Sequence, residues 1–445
     1  MTKSVLRFAP SPTGYLHVGN IRTALFNYLQ AKKIGAEFIL RLDDTDSERS
    51  SQHFIDEIKR DLDWLGITWD RIEQQSLRIE RYRDVLTKLS DENVVYECFE
   101  TSLELEIKRK KQQKKGLPPV YDRGALKLNV AEKDALRNKV ESHWRFLLSG
   151  ENVTWRDEIA GEINVRTSVV SDPILIKGNG QFLYTLASVI DDSDFGVTNV
   201  VRGIDHLTNT AVQVEIFRNL SSIVPVFGHH SLIVDSSGEN FSKRTGSLSI
   251  KSLREAGIEP GAIVSKLVSL GTGDGLELKS NIDEFTPKFS LSNFGTAPVR
   301  FQKEVLETIS RKLLSSFDVG QMSKVLDTIG VPNEIKEDFW LMAKDNINTK
   351  EELTDIWHLC KYGVNNLVIA PEDEQFIEVA ISLIGEYPRE NDSWQNLTKE
   401  LKNITGRGGK DLFMPLRRFL TGKSDGPDMK KLFPLLQKTR KSVSS

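Results

Sequence analysis

The first 44 residues restrict the fold more than any other stretch. "VLRF" (Val5–Phe8) is a short apolar run closed by Pro10 and Pro12, which end a strand and start a loop. From Asn20 onward, Ile21, Ala24, Leu25 and Tyr28 fall at helical spacing until Gly35 stops the helix. "EFILRLDD" (Glu37–Asp44), rich in Phe, Ile and Leu, then reads as a buried strand. Strand, helix and strand in so short a span make a βαβ unit, and hence the start of a parallel sheet. A helix with Ile55, Ile58, Leu62 and Leu65 on one face follows, opened by the cap-like "TDSERS" with Asp46 as the capping residue.

In an open α/β fold the ligand lies outside the carboxyl ends of the strands, where the first loop feeds a helix N-terminus. Free N–H groups and a partial positive charge at that terminus suit a phosphate. Gly14 and Gly19 carry no Cβ and let the backbone approach a nucleotide, and His17 can donate to phosphoryl oxygens. Alone, "HVGN" fits an ordinary βα turn equally well. A second element changes the balance: "ENFSKRTGS" (Glu239–Ser247) follows the strand-like "SLIVD" and can bring Lys243 onto the same phosphates. "SKR" by itself is usually a surface turn; in this order behind the first motif, chance explains the pair poorly.

The chain has 445 residues, which predicts two to four domains. Its 39% hydrophobic and 28% charged residues exclude a disordered chain. A net charge of −3 means that any polyanionic partner must be met by local basic patches. Cys98 and Cys360, far apart, exclude a disulfide scaffold. No apolar signal core and no run of about 18 apolar residues occurs, which predicts a cytoplasmic protein without a membrane span.

From Tyr96 the character changes. "EIKRKKQQKKGLPPVYDRG" is basic and turn-rich, with β-like stretches at Trp144–Leu148 and Glu162–Val170. Strand and helix alternation returns at "ILIKGNGQFLYTLASVIDD", and beyond Phe301 only helical periodicity remains (Val305, Ile309, Leu313, Leu314; then Phe376, Val379, Ala380, Leu383). The expected architecture is an α/β Rossmann-type parallel sheet split by an α+β insert, followed by an all-α tail.

Five stretches in order carry a family resemblance: "RFAPSPTGYLHVGN", "RLDDTDSERS", "YTLASVIDD", "VVRGIDHLTNT" and "FSKRTGSLSI", with "GRGGKDLFMPLRRFLTG" near the C-terminus. The chain resembles the class I aminoacyl-tRNA synthetases, and within them the bacterial glutamyl-tRNA synthetases, over its whole length. Pro10, Ser11, Pro12, Thr13, Gly14, His17, Val18, Gly19 and Asn20 are similar to the HIGH signature; Asn240, Phe241, Ser242, Lys243 and Arg244 are similar to KMSKS. The resemblance implies that glutamate is activated by ATP with Mg²⁺ and passed to the 3′-terminal adenosine of tRNA-Glu, tRNA-Gln or both. It implies boundaries at 1–95 and 182–232 for the catalytic halves and 96–181 for an acceptor-stem-binding insert. A stem-contact region would cover 233–300 and an anticodon-binding domain 301–445, in a monomer that binds neither DNA nor membrane.

By the same resemblance His17 and Lys243 are catalytic, and ATP is held by His17, Gly19, Asn20, Gly203, Asp205, Lys243 and Arg244. Glutamate would be held by Arg7, Ser11, Asp43, Tyr184 and Arg202. Planar arginine forks match carboxylates best, and the family's glutaminyl members lack the counterpart of Arg202, which argues for glutamate. Asn240 replaces a family lysine, and Asp43 stands where glutamate is usual, one methylene shorter. Family members with a zinc in the insert use a cysteine cluster; Cys98 has no Cys or His partner at ligand spacing, so no structural zinc and no metal ligand is expected.

Other features read as structural. "GTGDG" (Gly271–Gly275) is a turn, and His229–His230 cap the strand before "SLIVD" rather than bind metal. Lys108 to Lys115 is either a solvated helix face or a contact for acceptor-stem phosphates. Two other functions share the resemblance: a tRNA-modifying glutamyl-queuosine synthetase, disfavoured by the helical tail, and a silent tRNA-binding paralogue, disfavoured by intact His17, Lys243, Arg7 and Arg202.

Overall fold

Side chains on both faces of the first strands are buried, and the sheet they form is parallel. The computed structural model describes residues 3–235, 237–239, 249–364, 368–385 and 392–440. By contacts the chain divides into two compact units: Met1–Ala256 with Pro260–Lys303, and Gly257–Glu259 with Glu304–Ser445.

The first unit opens with β1 (Val5–Phe8), α1 (Val18–Ile34), β2 (Glu37–Leu42), α2 (Gln52–Trp64), β3 (Arg71–Gln74) and α3 (Ile79–Asp91). Arg7 pairs with Ile39 and Ile39 with Arg71, so the order is β1-β2-β3, all parallel. Helix α1 starts two residues earlier than its apolar spacing predicts, because His17 and Asn20 form a capping box ahead of it. Gly35 ends it at φ 67°, a left-handed conformation that suits glycine. The cap of α2 is Ser51, whose hydroxyl accepts from Phe54 N–H; Asp46, the residue expected there, instead holds Arg49 in an exposed turn.

Between β3 and the return of the parallel sheet lie β4 (Val95–Cys98), α4 (Ser102–Lys114), α5 (Val130–Arg137), β5 (His143–Phe146), β6 (Asn152–Asp157), β7 (Gly161–Arg166) and β8 (Ile174–Ile176). The pairings β4–β5, β5–β8 and β6–β7 are antiparallel. This segment shares its core with the parallel sheet: Val95, Phe146, Val153 and Leu175 are buried in one cluster with Val5, Ile39, Val200 and Phe227. Each such side chain stabilises by about 1.5–3 kcal/mol on burial, enough in sum to dock the insert firmly.

The sheet resumes with α6 (Tyr184–Asp194), β9 (Asn199–Gly203), α7 (Leu207–Asn219) and β10 (Val226–His230), β9 and β10 again parallel. Thr198 N–H donates to Val5 O at 2.9 Å, which sets β9 beside β1. The unit ends with β11 (Ile233–Val234), α8 (Ile250–Glu255), α9 (Pro260–Ser269) and β12 (Val299–Arg300).

The second unit holds α10 (Lys303–Ser316), which begins at the boundary, α11 (Val319–Thr328), α12 (Lys336–Ala343), α13 (Glu352–Tyr362), α14 (Glu374–Ile384), α15 (Ser393–Thr405), α16 (Lys410–Thr421) and α17 (Met429–Arg440). Its described residues contain no strand. Leu432, Phe433 and Leu436 of α17 are buried, and Thr439 donates to Cys360 O at 2.6 Å. Among the described residues of either unit, no helix is long and apolar enough to cross a membrane.

Candidate active site

The loop between β1 and α1 is held at three points. Asp43 N–H donates to Pro10 O (3.0 Å) and Ser51 N–H to Pro12 O (3.2 Å), tying the loop to the end of β2 and the start of α2. At its far end Gly19 N–H donates to His17 Nδ1 and His17 N–H to Asn20 Oδ1, both at 3.1 Å. Because Nδ1 accepts from Gly19, the proton of a neutral His17 ring sits on Nε2. A Cβ on Gly19 would lie 2.9 Å from His17 Cε1, so glycine there is set by the imidazole. Thr13 and Gly14 are half-buried and Val18 is buried, whereas Ser11 is exposed.

Asn240, Phe241, Ser242, Lys243 and Arg244 lie outside the described residues. The chain that follows them returns to His17: Ser249 forms an antiparallel bridge with it, and Ile250 N–H donates to Leu16 O at 2.8 Å. Arg254 of α8 then binds Asp61 and Glu57 of α2, both at 3.1 Å.

The ends of β1, β2 and α6 meet in a buried charge cluster. Arg7 donates through Nε and Nη2 to Asp192 (3.1 and 3.3 Å), and Arg41 Nη1 donates to the same carboxylate at 2.6 Å. Arg41 also holds Asp43 through two bonds, at 2.7 and 3.2 Å. Asp191, fully buried, accepts from Arg78, Gln75 and Tyr82. Burial pushes Asp192 up, but the two guanidinium groups outweigh it and hold the carboxyl below its ordinary value. Arg41, Asp191 and Asp192 escaped the sequence reading; the signal was an acidic pair at the end of the apolar "YTLASVIDD", where a buried helix has no other reason for two charges.

Arg202, at the end of β9, has different company. Its Nη1 donates to Tyr184 Oη at 2.6 Å, and its Nη2 to Thr210 Oγ1 at 2.6 Å and Gln213 Oε1 at 2.7 Å. All three acceptors are neutral, Nε has no partner, and the residue is buried. Burial lowers its pKa, and Arg7 is near enough to lower it further. Both arginines thus lie on neighbouring strands, β1 and β9, close enough to act on each other electrostatically. Beyond Arg202, a Cβ on Gly203 would come within 2.5 Å of the Asp205 carboxylate, so this glycine admits the acidic side chain. His206, also missed in the sequence, packs on Tyr184 with ring centroids 5.9 Å apart; burial and then Arg202 pull its pKa down to about 4.

His229 and His230 do not cap β10; they are its last residues, and both are buried. His229 bonds Asp157 Oδ2 at 2.5 Å and Thr210 Oγ1 at 2.8 Å, while His230 bonds Thr23 at 2.9 Å. Cys98 does have a histidine beside it, because antiparallel pairing sets it opposite His143, and Glu100 completes a group within 4.8 Å. Sequence spacing could not show a partner from another strand. Other donors already serve that group: Lys108 and the Tyr121 hydroxyl donate to Glu100, Arg145 donates to His143 Nε2, and burial pushes the Cys98 thiol up to about 11. A shallow cavity of about 300 Å³ beside α4 is lined by Lys108, Arg109, Lys111, Lys115 and Arg145. Gly271–Gly275 form a turn.

A family model described as "tRNA synthetases class I (E and Q), catalytic domain" matches residues 3–308, and the chain belongs to that family. Within it, glutamate–tRNA ligase 2 of Ruegeria sp. (strain TM1040) is 50% identical, over 98% of this chain and 98% of its own. Glutamate–tRNA ligase 1 of Ruegeria pomeroyi is 48% identical over 99% of each chain. A crystal structure of a glutamate tRNA ligase from Elizabethkingia meningosepticum, in complex with its amino acid, is similar with a TM-score of 0.83 at 25% identity, covering 99% of this chain and 98% of that one.

Proposed function

We propose that this protein is a glutamate–tRNA ligase. It joins L-glutamate to ATP as glutamyl-adenylate with release of pyrophosphate, then transfers glutamate to the 3′-terminal adenosine of tRNA-Glu. The observation that carries the amino-acid choice is Arg202, a buried guanidinium whose described partners are all neutral. A buried charge with no carboxylate in hydrogen-bond contact is costly, and a bound carboxylate relieves that cost where a neutral amide does not. Glutamate thus fits better than glutamine.

No protein nucleophile is needed: the glutamate α-carboxylate attacks the α-phosphorus of ATP, and catalysis is positioning plus charge stabilisation. Arg202 and Tyr184 hold the side-chain carboxylate. Arg7, whose Nε–Nη2 edge is taken by Asp192, has Nη1 for the second carboxylate. Asp43 and Ser11 serve the ammonium. His17, Gly19 and Asn20 receive the ATP phosphates, Gly203 and Asp205 flank the adenosine, and Lys243 and Arg244 stabilise charge as pyrophosphate leaves. Mg²⁺ bound with the ATP would screen its phosphate charge.

A structural zinc is not part of this reading, since three donors with two cations on them suit a metal poorly. Residues 96–181 and 233–300 meet the acceptor stem, with the basic face of α4 on its phosphates, and 301–445 read the anticodon. The protein acts as a monomer in the cytoplasm. The alignment of the helical tail with full-length ligases supports this reading over a base-modifying or silent paralogue. The test is charging purified tRNA-Glu and tRNA-Gln separately with labelled glutamate. Charging of tRNA-Glu is expected; activity on neither overturns the reading, and activity on tRNA-Gln alone overturns the choice of tRNA.

A further inference from the structure

Behind Arg202 a chain of hydrogen bonds runs to a carboxylate in the inserted hairpin. Arg202 Nη2 donates to Thr210 Oγ1 (2.6 Å), Thr210 is bonded to His229 Nε2 (2.8 Å), and His229 Nδ1 to Asp157 Oδ2 (2.5 Å). Every member is buried, and His229 and Asp157 have no exposed side-chain surface. His229 and Arg202 are register partners on β10 and β9, so one sheet face presents both to Thr210 on α7.

The direction of each bond follows from the charge state of Asp157. Asp157 Oδ1 accepts from three backbone N–H groups, those of Ile159, Ala160 and His229. Burial pushes its carboxyl up, yet these donors and His229 outweigh it and hold it at about 2. An ionised Asp157 requires the proton on His229 Nδ1, and burial keeps the ring neutral, so Nε2 presents a lone pair. The Thr210 hydroxyl therefore points at His229 rather than at its alternative, His206 O at 3.1 Å, and offers Arg202 a lone pair. Gln213 takes the other Nη2 proton.

The contrast with Arg7 gives the arrangement its purpose. Asp192 touches Arg7 directly and pairs with its charge. Asp157 is separated from Arg202 by an imidazole and a hydroxyl, which transmit orientation without cancelling the charge. We propose that Asp157, His229 and Thr210 are positioning residues for amino-acid selection, fixing one rotamer of Arg202 while leaving its charge for the substrate side-chain carboxylate. This rests on the reading of Arg202 as that carboxylate's partner.

The test is ATP–pyrophosphate exchange with full-length protein and tRNA-Glu, measuring kcat and KM for glutamate, KM for ATP, and the preference for glutamate over glutamine. Thr210→Val keeps the side-chain shape and removes the hydroxyl. It raises KM for glutamate about tenfold, the value of one hydrogen bond to a charged group, and narrows the preference, with KM for ATP unchanged. Thr210→Ser restores KM to within about twofold of wild type, since the hydroxyl returns. Asp157→Asn keeps the Oδ1 acceptor but moves the His229 proton to Nε2 and turns the Thr210 hydroxyl to His206 O, so that its oxygen accepts from both His229 and Arg202; KM rises in the same direction by a smaller factor. Unchanged KM for glutamate in Thr210→Val and Asp157→Asn, or parallel rises in both KM values, overturns the relay. A wild-type protein that charges no tRNA with glutamate overturns the underlying ligase reading instead, so the two failures are distinguishable.

Discussion

His17 and Gly19 occupy one small volume, and each sets the identity of the other. The imidazole caps α1 by accepting from Gly19 N–H, so a methyl group on Gly19 collides with the ring that it supports. Gly19→Ala should lower the rate of adenylate formation about 100-fold, as a displacement near 1 Å does at a reacting centre. Pyrophosphate exchange measures it, and a rate within a factor of about two of wild type removes His17 from phosphate binding. Arg202→Gln should weaken glutamate binding about 30- to 100-fold, the cost of a charge-assisted pair, and shrink discrimination against glutamine. Isothermal titration with both amino acids decides this, an unchanged preference being the contrary result. Lys243→Ala should slow adenylate formation about 100-fold or more while barely changing glutamate affinity; equal effects on both contradict a role confined to the leaving group.

Elements β1, β2 and α6 are joined at their ends by charges rather than by apolar contact. Asp192 alone accepts from Arg7 and Arg41. Asp192→Asn leaves two buried guanidinium groups short of a counterion and should destabilise the fold by about 3–5 kcal/mol, read from urea unfolding. A loss under about 1 kcal/mol would mean that Asp43 and Asp191 already balance the cluster. The hairpin β6–β7 is coupled to β10 through Asp157, whose carboxyl lies at about 2 in the fold against 3.8 ordinarily. A lowered carboxyl stabilises the folded state above its ordinary range, and that stability is lost as pH falls from near 4 towards 2. Asp157→Asn should therefore melt lower than wild type at pH 5 and approach it as the pH drops through that window. Parallel melting curves would show that Asp157 is not ionised in the fold.

For the molecule as a whole, the contact boundary at Lys303 does not follow the chain cleanly, since Gly257–Glu259 belong with the helices. Glu259 N–H donates to Ser310 Oγ at 2.8 Å, and its carboxylate takes Lys350 Nζ at 2.8 Å. Removing residues 304–445 strips both partners. The truncated protein should still bind glutamate, melt a few degrees lower, and fail to charge tRNA-Glu; aminoacylation at the full-length rate would refute anticodon reading by the helices.

Much of the fold was legible because it is local. Apolar spacing, Gly35 and the early prolines determine strand, helix and strand before any distant contact forms, and the loss of strand signals after Phe301 marks the helical unit. The arginines at the ends of β1 and β9 were legible as residues too, since a parallel sheet sends both strand ends to one edge. What only the tertiary structure decided is which of them is paired directly with a carboxylate. Asp192 reaches Arg7 from 185 residues away, and Thr210, His229 and Asp157 assemble behind Arg202 from α7, β10 and an inserted hairpin. The same holds for His143 beside Cys98. Sequence spacing encodes neighbours along one element, whereas the electrostatic state of a buried group depends on whichever atoms the packed chain brings within about 3 Å of it.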